Sequence, residues 1–423
     1  MDNYQQEATR IIELLKQDFL LPDGSLCLKK VGEENLYHNF ADLGDVIPFL
    51  LYFNEVKFVD NQIKIFENYL KDGVLISEFP TWKIKGLVKS YEYSDLILGL
   101  TDYYNFKKDD NSKRILLSNT DKAINIFKLD KKINSFYWPK FGFSLPVIDS
   151  RDGMMVELFV DLYNIFGEEK YLLIAKNIYK RLISLDFYNK YNLLPTFSFN
   201  IFFNHILKLN QAVICKNNTN ALFAFLSLWK VTGDRKIFEN MELMIAAIKN
   251  KATSGKGGII RIYQPGQNIS QSFLTASFSI LDFLCDFYHQ FGQEKDLQFA
   301  RDIADYWLDL QAESGLFPLY NDRSFDFIDS QTDMSIALWK LFELTGDSRY
   351  QASADKCLDG IYQFHGKKDY VSSVDIFSGE LVNKIKKTKF LALFLKLLIL
   401  KMELSKGNKI YQDKKLFNLL KDR

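Results

Sequence analysis

Apolar residues recur along the chain at helical spacing, and the helices that they predict are of two alternating kinds. Amphipathic helices are predicted near residues 2–20, 61–71, 112–127, 168–185, 234–251, 294–312 and 347–364. Largely apolar helices are predicted near residues 39–54, 93–106, 150–166, 219–232, 271–291, 331–345 and 388–404. A helix that is apolar all round is buried, whereas one with a polar face lies at the surface. The alternation therefore predicts an inner ring of helices wrapped by an outer ring.

One turn recurs where an apolar helix gives way to an amphipathic one. It reads Thr-Gly-Asp at residues 232–234 and 345–347, and Gly-Glu or Gly-Gln at residues 167–168 and 292–293. Glycine can end a helix in the left-handed conformation, and an acidic residue suits the start of the next helix. The copies recur roughly every 55 to 65 residues, as in arrays of helical hairpins. The predicted fold is all-α, an (α/α)6 or (α/α)7 toroid that forms a single domain over residues 1–423.

Composition and charge exclude several classes of protein. The net charge is +1 and no basic run is present, which argues against nucleic acid or an anionic membrane as a partner. Residues 1–7 are polar and do not resemble a secretory signal, so we expect a cytoplasmic protein. The four cysteines are far apart without a Cys-x-x-Cys pair, which predicts buried thiols and neither a disulfide scaffold nor a zinc site. We predict no metal and no cofactor.

The connections from amphipathic to apolar helices are long and rich in aromatic residues. Alternating apolar residues near Gly and Pro predict short β-hairpins there, crowded at one rim of the toroid. Long loops on a rigid scaffold are where binding sites form. Flat aromatic rings in these loops are candidate platforms for a ligand, namely Trp82, Trp138, Tyr263, Phe317 and Tyr320.

The apolar helices begin at that same rim with polar residues, which would converge on one pocket. The candidates are His38, Asp42, Asp45, Tyr91, Tyr93, Asp95, Asp149, Arg151, Asp152, Asn217, Asn220, Gln271, Gln331 and Asp333. Ser, Asp and Asn at helix starts are also ordinary N-caps, and this reading stays open for each acid taken alone. Asp45, Asp152 and Asp333 lie inside their helix starts, where capping explains them less well.

The order of these motifs resembles the six-hairpin glycosidase superfamily. A Gly-Leu-Phe hairpin at residues 315–317, Asp-x-Gln-x-Asp at 329–333 and Thr-Gly-Asp-x-x-Tyr at 345–350 carry the resemblance. It implies a toroid of helical hairpins and sugar chemistry at the loop-rich mouth, performed by carboxylic acids. On this resemblance Asp149 or Asp152 is the expected catalytic acid, with Asp95 and Asp333 as partners.

Three functions are consistent with these residues. The first is a glycoside hydrolase acting on an oligosaccharide, for which Arg151, Arg261, Arg323 and Lys389 suggest an acidic sugar such as a uronic acid, although surface arginines are equally consistent. The second is a sugar epimerase or polysaccharide lyase, with Tyr91, Tyr93 or His38 as the base and Asn217 holding an enolate-like oxygen. The third is a scaffold without chemistry that binds a glycan or a protein. The other histidines do not strengthen the second reading, because His205 lies in a long loop and His289 and His365 fall near helix ends.

Overall fold

The structure is a computed structural model that describes residues 2–31, 35–38, 40–71, 74–75, 87–131, 133–198, 210–254 and 257–420. For residues 2, 27–31, 35–38, 41, 71 and 74–75 it describes the backbone alone.

Helices dominate the described part of the chain. In chain order they are α1 (Asp2–Asp18), α2 (Ala41–Tyr52), α3 (Val56–Asn68), α4 (Ser90–Lys107), α5 (Asp110–Phe127), α6 (Gly153–Phe166), α7 (Glu169–Ile183), α8 (Asp186–Tyr191), α9 (Thr219–Thr232), α10 (Arg235–Lys251), α11 (Leu274–Phe291), α12 (Glu294–Leu308), α13 (Ile328–Thr345), α14 (Ser348–Phe364), α15 (Thr388–Ser405) and α16 (Lys414–Leu419).

Seven of the described helices form a closed inner ring. They are α2, α4, α6, α9, α11, α13 and α15, and each packs against the next, with α15 returning to α2. The amphipathic helices α3, α5, α7, α10, α12 and α14 pack outside their partners, and α1 covers α15. Apolar side chains from both layers form one continuous core. The predicted all-α toroid of helical hairpins is confirmed, and its described helices form seven inner and outer pairs.

Short antiparallel strands lie in the long connections, as predicted. They are β1 (Cys27–Val31), β2 (Asn35–His38), β3 (Leu70–Lys71), β4 (Val74–Leu75), β5 (Val88–Lys89), β6 (Phe136–Trp138), β7 (Phe143–Leu145), β8 (Ile148–Asp149), β9 (Phe197–Ser198), β10 (Ala212–Val213), β11 (Thr253–Ser254), β12 (Gly258–Ile259), β13 (Ile262–Tyr263), β14 (Ser373–Val374), β15 (Leu381–Asn383) and β16 (Lys386–Lys387). The pairing of β16 with β1 joins the two ends of the chain, with Lys29 opposite Lys387.

The glycine turns have the predicted geometry. Gly167, Gly233, Gly292 and Gly346 each follow an inner helix with φ between +63° and +71°, the left-handed conformation that ends a helix. After two of these turns the aspartate caps the next outer helix through its side chain. Because each outer helix runs back along its partner, all inner helices begin at one end of the ring. We call that end the mouth and the other the closed end.

A close crossing of α2 and α4 positions two sides of the mouth. A Cβ atom added to Gly99 would lie 2.4 Å from the Cα atom of Gly44, and one added to Gly44 would lie 2.1 Å from the backbone oxygen of Asp95. These helices can therefore approach so closely only because both positions are glycine. The crossing brings Asp45, next to Gly44, beside Asp95.

Candidate functional site at the mouth of the ring

Three aspartates gather where the first two turns of α2 and α4 meet the start of α15. Asp42 and Asp45 come from α2 and Asp95 comes from α4, and we call these three side chains the acid cluster. Lys389 forms an ion pair with Asp45, with Nζ 3.0 Å from Oδ2. The three carboxylates together raise the pKa of Lys389 against the opposing effect of burial, so this side chain stays charged. One ammonium group therefore faces three carboxyl groups.

Three oxygens of the acid cluster lack a hydrogen-bond partner among the described residues, and one of them, Asp45 Oδ2, is ion-paired with Lys389. Asp42 Oδ2 and Asp95 Oδ1 are shielded from solvent, although both residues are partly exposed as a whole. Burial, and then repulsion from Asp45, raises the pKa of Asp42 to about 7 and raises the pKa of Asp95 well above its usual range. The acid cluster therefore holds a protonated carboxyl group near neutral pH.

A second group of side chains lies beside the acid cluster and centres on Asp149. This carboxylate is fully buried and accepts hydrogen bonds from Arg151, with Nη2 2.7 Å from Oδ2, and from Asn217, with Nδ2 3.1 Å from Oδ1. The guanidinium of Arg151 lies over the ring of Tyr91, with Cζ 3.6 Å from the ring centroid. A guanidinium held by a carboxylate and an aromatic face is fixed in orientation.

Asp152 lies behind this group and is also fully buried. It accepts hydrogen bonds from Ser90 Oγ and Ser135 Oγ. Ser135 Oγ in turn accepts a hydrogen bond from the backbone N–H of Asp149. Burial raises the pKa of Asp152 to about 7, against the lowering effect of the two hydroxyl groups. Asp152 is thus placed to position Asp149 through Ser135 and has no direct access to a ligand.

Glu92 lies between the two groups. Its carboxylate pairs with Lys89, and its charge contributes to raising the pKa values of Asp42, Asp95 and Tyr91. Glu92 was not among the predicted site residues, because a Glu in the first turn of a helix is also an ordinary partner for the helix dipole.

The opposite side of the mouth carries cationic and aromatic groups. Arg261 Nη1 lies 3.3 Å from the hydroxyl of Tyr320, and the ring of Tyr320 lies 4.9 Å from the ring of Phe273. Asp329 lies between this side and the acid cluster, because burial raises its pKa while Lys216, Lys387 and Lys389 all lower it. The side chain of Gln271 donates to Asp322.

Two predicted site residues and one predicted platform point away from the mouth. The amide of Gln331 is fully buried and exchanges two hydrogen bonds with the backbone of Phe317, which is itself fully buried and cannot serve as a platform. Tyr93 is 1% exposed and its ring packs against Phe127 of the outer helix α5. Asp333 lies inside α13 and is partly exposed.

The other predicted residues lie at the rim or beyond the described atoms. Asn220 is partly exposed in the first turn of α9, and the ring of Tyr263 lies 5.9 Å from that of Tyr191. Trp82 and His205 fall outside the described residues, and the side chain of His38 is not described.

Two histidines are accounted for by contacts elsewhere in the fold. His365 is fully buried and its two ring nitrogens lie within hydrogen-bond distance of Asp326 and the backbone oxygen of Val371. His289 stacks on Tyr411 at the closed end.

Three further properties of the described residues bear on function. No group of three or more His, Cys, Asp and Glu side chains is arranged to hold a metal ion. No described helix has the length and apolar character needed to cross a membrane. Cys215, Cys285 and Cys357 are buried free thiols.

Solved structures share this fold. An α-1,2-mannosidase from Trichoderma reesei matches with a TM-score of 0.64 at 12% identity, over 93% of this chain and 91% of that one. A cellobiose 2-epimerase from Bacillus thermoamylovorans matches with a TM-score of 0.62 at 12% identity, over 83% and 99%. An unsaturated glucuronyl hydrolase from Bacillus sp. GL1 matches with a TM-score of 0.55 at 10% identity, over 87% and 97%.

Neither a protein-family model nor a curated protein sequence matches the chain. The structural matches confirm the resemblance to the six-hairpin glycosidase superfamily at the level of fold. Since one fold supports many reactions, the activity has to be argued from the mouth itself.

Proposed function

We propose that this protein is a carbohydrate-active enzyme, and specifically a glycoside hydrolase that acts on an oligosaccharide by carboxylate chemistry at the mouth. The observation that carries the proposal is the acid cluster, because Asp42 and Asp95 have raised pKa values, solvent-shielded oxygens and partial exposure together. Enzymes with this fold act on several sugars, as the names of the structural neighbours indicate.

The chemistry of glycoside cleavage fits two coupled carboxyl groups. One must be protonated to donate to the leaving oxygen, while the other must be ionised to activate water or attack the sugar. Carboxyl groups that repel one another share protons in this way, because they do not all ionise together. We assign these two roles to Asp42 and Asp95, with Asp45 paired to Lys389.

The second group of side chains would recognise the substrate. Asp149 is fully buried and bonded to Arg151 and Asn217, so we assign it the role of holding the guanidinium instead of touching the sugar. Arg151 retains 24% of its side-chain exposure and can bind a hydroxyl or carboxylate oxygen.

The alternative, an epimerase or lyase with a tyrosine base, is less well supported. Burial raises the pKa of Tyr91, so its phenol stays protonated and is a poor base. Tyr93 packs against the outer layer. The carboxyl groups of the acid cluster are better suited to proton transfer near neutral pH.

Product analysis in isotopically labelled water separates the candidate reactions. We would incubate the protein with di- to hexasaccharides, neutral and uronic-acid-containing, in ¹⁸O-labelled water and in D₂O. A hydrolase yields shorter sugars that carry ¹⁸O. An epimerase yields an isomer of unchanged length with deuterium on carbon, and a lyase yields an unsaturated end. Binding of a sugar without formation of any product would support the third function, a scaffold without chemistry.

Matched variants connect the reaction to the acid cluster. Asp42→Asn and Asp95→Asn should each lower turnover about 10²- to 10⁴-fold, as for loss of a general acid or base. Asp296→Asn is the control, because Asp296 is also buried with a pKa raised to about 6 but lies on the outer helix α12. Equal losses in all three variants would contradict the assignment.

A further inference from the structure

The hairpin of β6 and β7 carries an exposed group of aromatic rings. Phe141 is 56% exposed and Phe143 is 45% exposed. The ring of Trp138 lies 4.7 Å from that of Phe141 and 6.3 Å from that of Phe143. Apolar side chains that gather on a surface in this way indicate a binding function. We call these three rings the aromatic tip.

The aromatic tip has a rigid backbone. Pro139 opens a single helical turn, Pro139–Phe141, and Gly142 follows with φ of +65°. The N–H of Gly142 donates to the backbone oxygens of Trp138 and Pro139. At its base, Trp138 packs against a small core formed by Leu87, Phe136 and Val147. The rings are therefore held in place before any ligand arrives, which reduces the entropy lost on binding.

The strands that carry the aromatic tip begin at the candidate site. Ser135, which binds Asp149 and Asp152, directly precedes β6. Strand β5 pairs with β6 and runs straight into α4, the helix of Asp95. Three to four residues of extended strand place the tip roughly 10 Å from Ser135. A separation of roughly 10 Å is longer than one sugar ring. The strand that spans it connects the aromatic tip directly to the candidate site.

We propose that the aromatic tip is a distal subsite that stacks against a sugar ring of an oligosaccharide whose reacting unit lies at the acid cluster. This inference rests on the proposed function and deepens it, because it makes the substrate a chain of several sugar units and not a mono- or disaccharide. The C–H faces of a pyranose are apolar and suit an aromatic ring, whereas its hydroxyl groups can reach polar neighbours such as Lys140, whose Nζ lies 5.6 Å from the centroid of Phe141.

The test compares the affinity for a disaccharide and a hexasaccharide of the same series, using cello-oligosaccharides and α-1,2-linked manno-oligosaccharides in titration calorimetry. Wild type should bind the hexasaccharide about tenfold more tightly than the disaccharide. The Phe141→Ala/Phe143→Ala variant should lose this difference and keep its affinity for the disaccharide. Phe106→Ala is the matched control, because Phe106 is 48% exposed at the end of α4 away from the mouth.

Two further variants distinguish ring stacking from general apolar contact. Phe141→Trp should keep the preference for the longer sugar, whereas Phe141→Leu should lose it. Equal binding of both lengths by wild type would overturn the distal subsite and leave the proposed function intact, whereas no binding of any sugar would overturn both. A wild-type dimer that Phe141→Ala/Phe143→Ala converts to monomer in sedimentation velocity would instead assign the aromatic tip to a second copy of the chain.

Discussion

Two clusters of buried charge, one at each end of the ring, are built from the same residue types. At the closed end, Lys340 lies with Nζ 2.6 Å from Asp282 Oδ1 and 3.1 Å from Asp286 Oδ1, and the hydroxyl of Tyr411 donates to Asp286. At the mouth, one lysine faces the three carboxyl groups of the acid cluster. At the closed end, Asp282 Oδ1 lacks a hydrogen bond but is ion-paired with Lys340, whereas Asp42 Oδ2 and Asp95 Oδ1 of the acid cluster have neither kind of partner among the described residues.

The chain itself completes the cluster at the closed end. Residues 408–413 and α16 cross the ends of the inner helices, and Glu343 accepts hydrogen bonds from the backbone N–H groups of Ile410 and Tyr411. At the mouth, Asp42 and Asp95 remain partly exposed. We infer that charge at the closed end stabilises the fold, whereas charge at the mouth is available to a ligand. Functional sites commonly retain such unfavourable groups.

The largest effect on stability is expected from Lys340→Met. Lys340 is 1% exposed, and its loss leaves Asp282 and Asp286 buried without a counter-charge, at a cost of about 3 to 5 kcal/mol. Urea denaturation would measure the loss. The combined variant Lys340→Met/Asp282→Asn/Asp286→Asn should recover part of it, and a Lys340→Met protein as stable as wild type would contradict a structural role for this cluster.

In contrast to Lys340→Met, Asp42→Asn at the mouth is expected to remove a loss of stability that wild type shows as the pH rises. Since the pKa of Asp42 is raised when folded, the folded state binds its proton more tightly than the unfolded state. Its stabilising effect is therefore full below about pH 4 and is lost as the pH rises toward 7. Denaturation at several pH values should show wild type losing on the order of 1 to 3 kcal/mol relative to Asp42→Asn over this interval. Parallel curves for the two proteins would refute the raised pKa.

Ser135→Ala tests whether Asp152 positions Asp149 at the mouth. It removes the hydroxyl that joins Asp152 to Asp149, so stability should fall by about 1 to 2 kcal/mol and turnover should fall as Asp149 and Arg151 shift. Ser335→Ala is the control, because Ser335 is a fully buried serine of α13 whose hydroxyl bonds to the backbone oxygen of Gln331 and to the Cys357 thiol, and to neither Asp149 nor Asp152. If both variants lose turnover equally, the positioning role of Ser135 is wrong.

The smallest effect is expected from Tyr411→Phe at the closed end. The ring and its stacking on His289 remain, and one hydrogen bond to Asp286 is lost. We expect a loss of about 1 kcal/mol in urea denaturation, with turnover unchanged. A loss of turnover without a loss of stability would show that the two ends of the ring communicate.

The sequence was sufficient to predict the fold because its signals are local. Helical periodicity distinguished inner from outer helices, and the glycines at 167, 233, 292 and 346 marked the turns. The pairing of β16 with β1 and the docking of residues 408–420 across the closed end were not predicted, since both depend on contacts between distant parts of the chain.

The candidate site was predicted only in outline. Helix starts located Asp42, Asp45 and Asp95, but the side-chain directions that bury Gln331 and Tyr93 depend on how each helix is rotated within the ring. The link from Ser135 to Asp152 joins residues on different elements that no local pattern relates. The glycines at positions 44 and 99 were the sequence signal for the close crossing. That signal could be interpreted only from the structure, in which α2 and α4 are in contact.

The most direct test is the pH dependence of kcat/KM on an oligosaccharide that the protein turns over, because this profile reports the essential groups of the free enzyme. We predict that kcat/KM falls above about pH 7 as Asp42 loses its proton, and that Asp42→Asn is nearly inactive at every pH while remaining folded. An active Asp42→Asn protein with the wild-type profile would contradict the assignment of the reaction to the acid cluster.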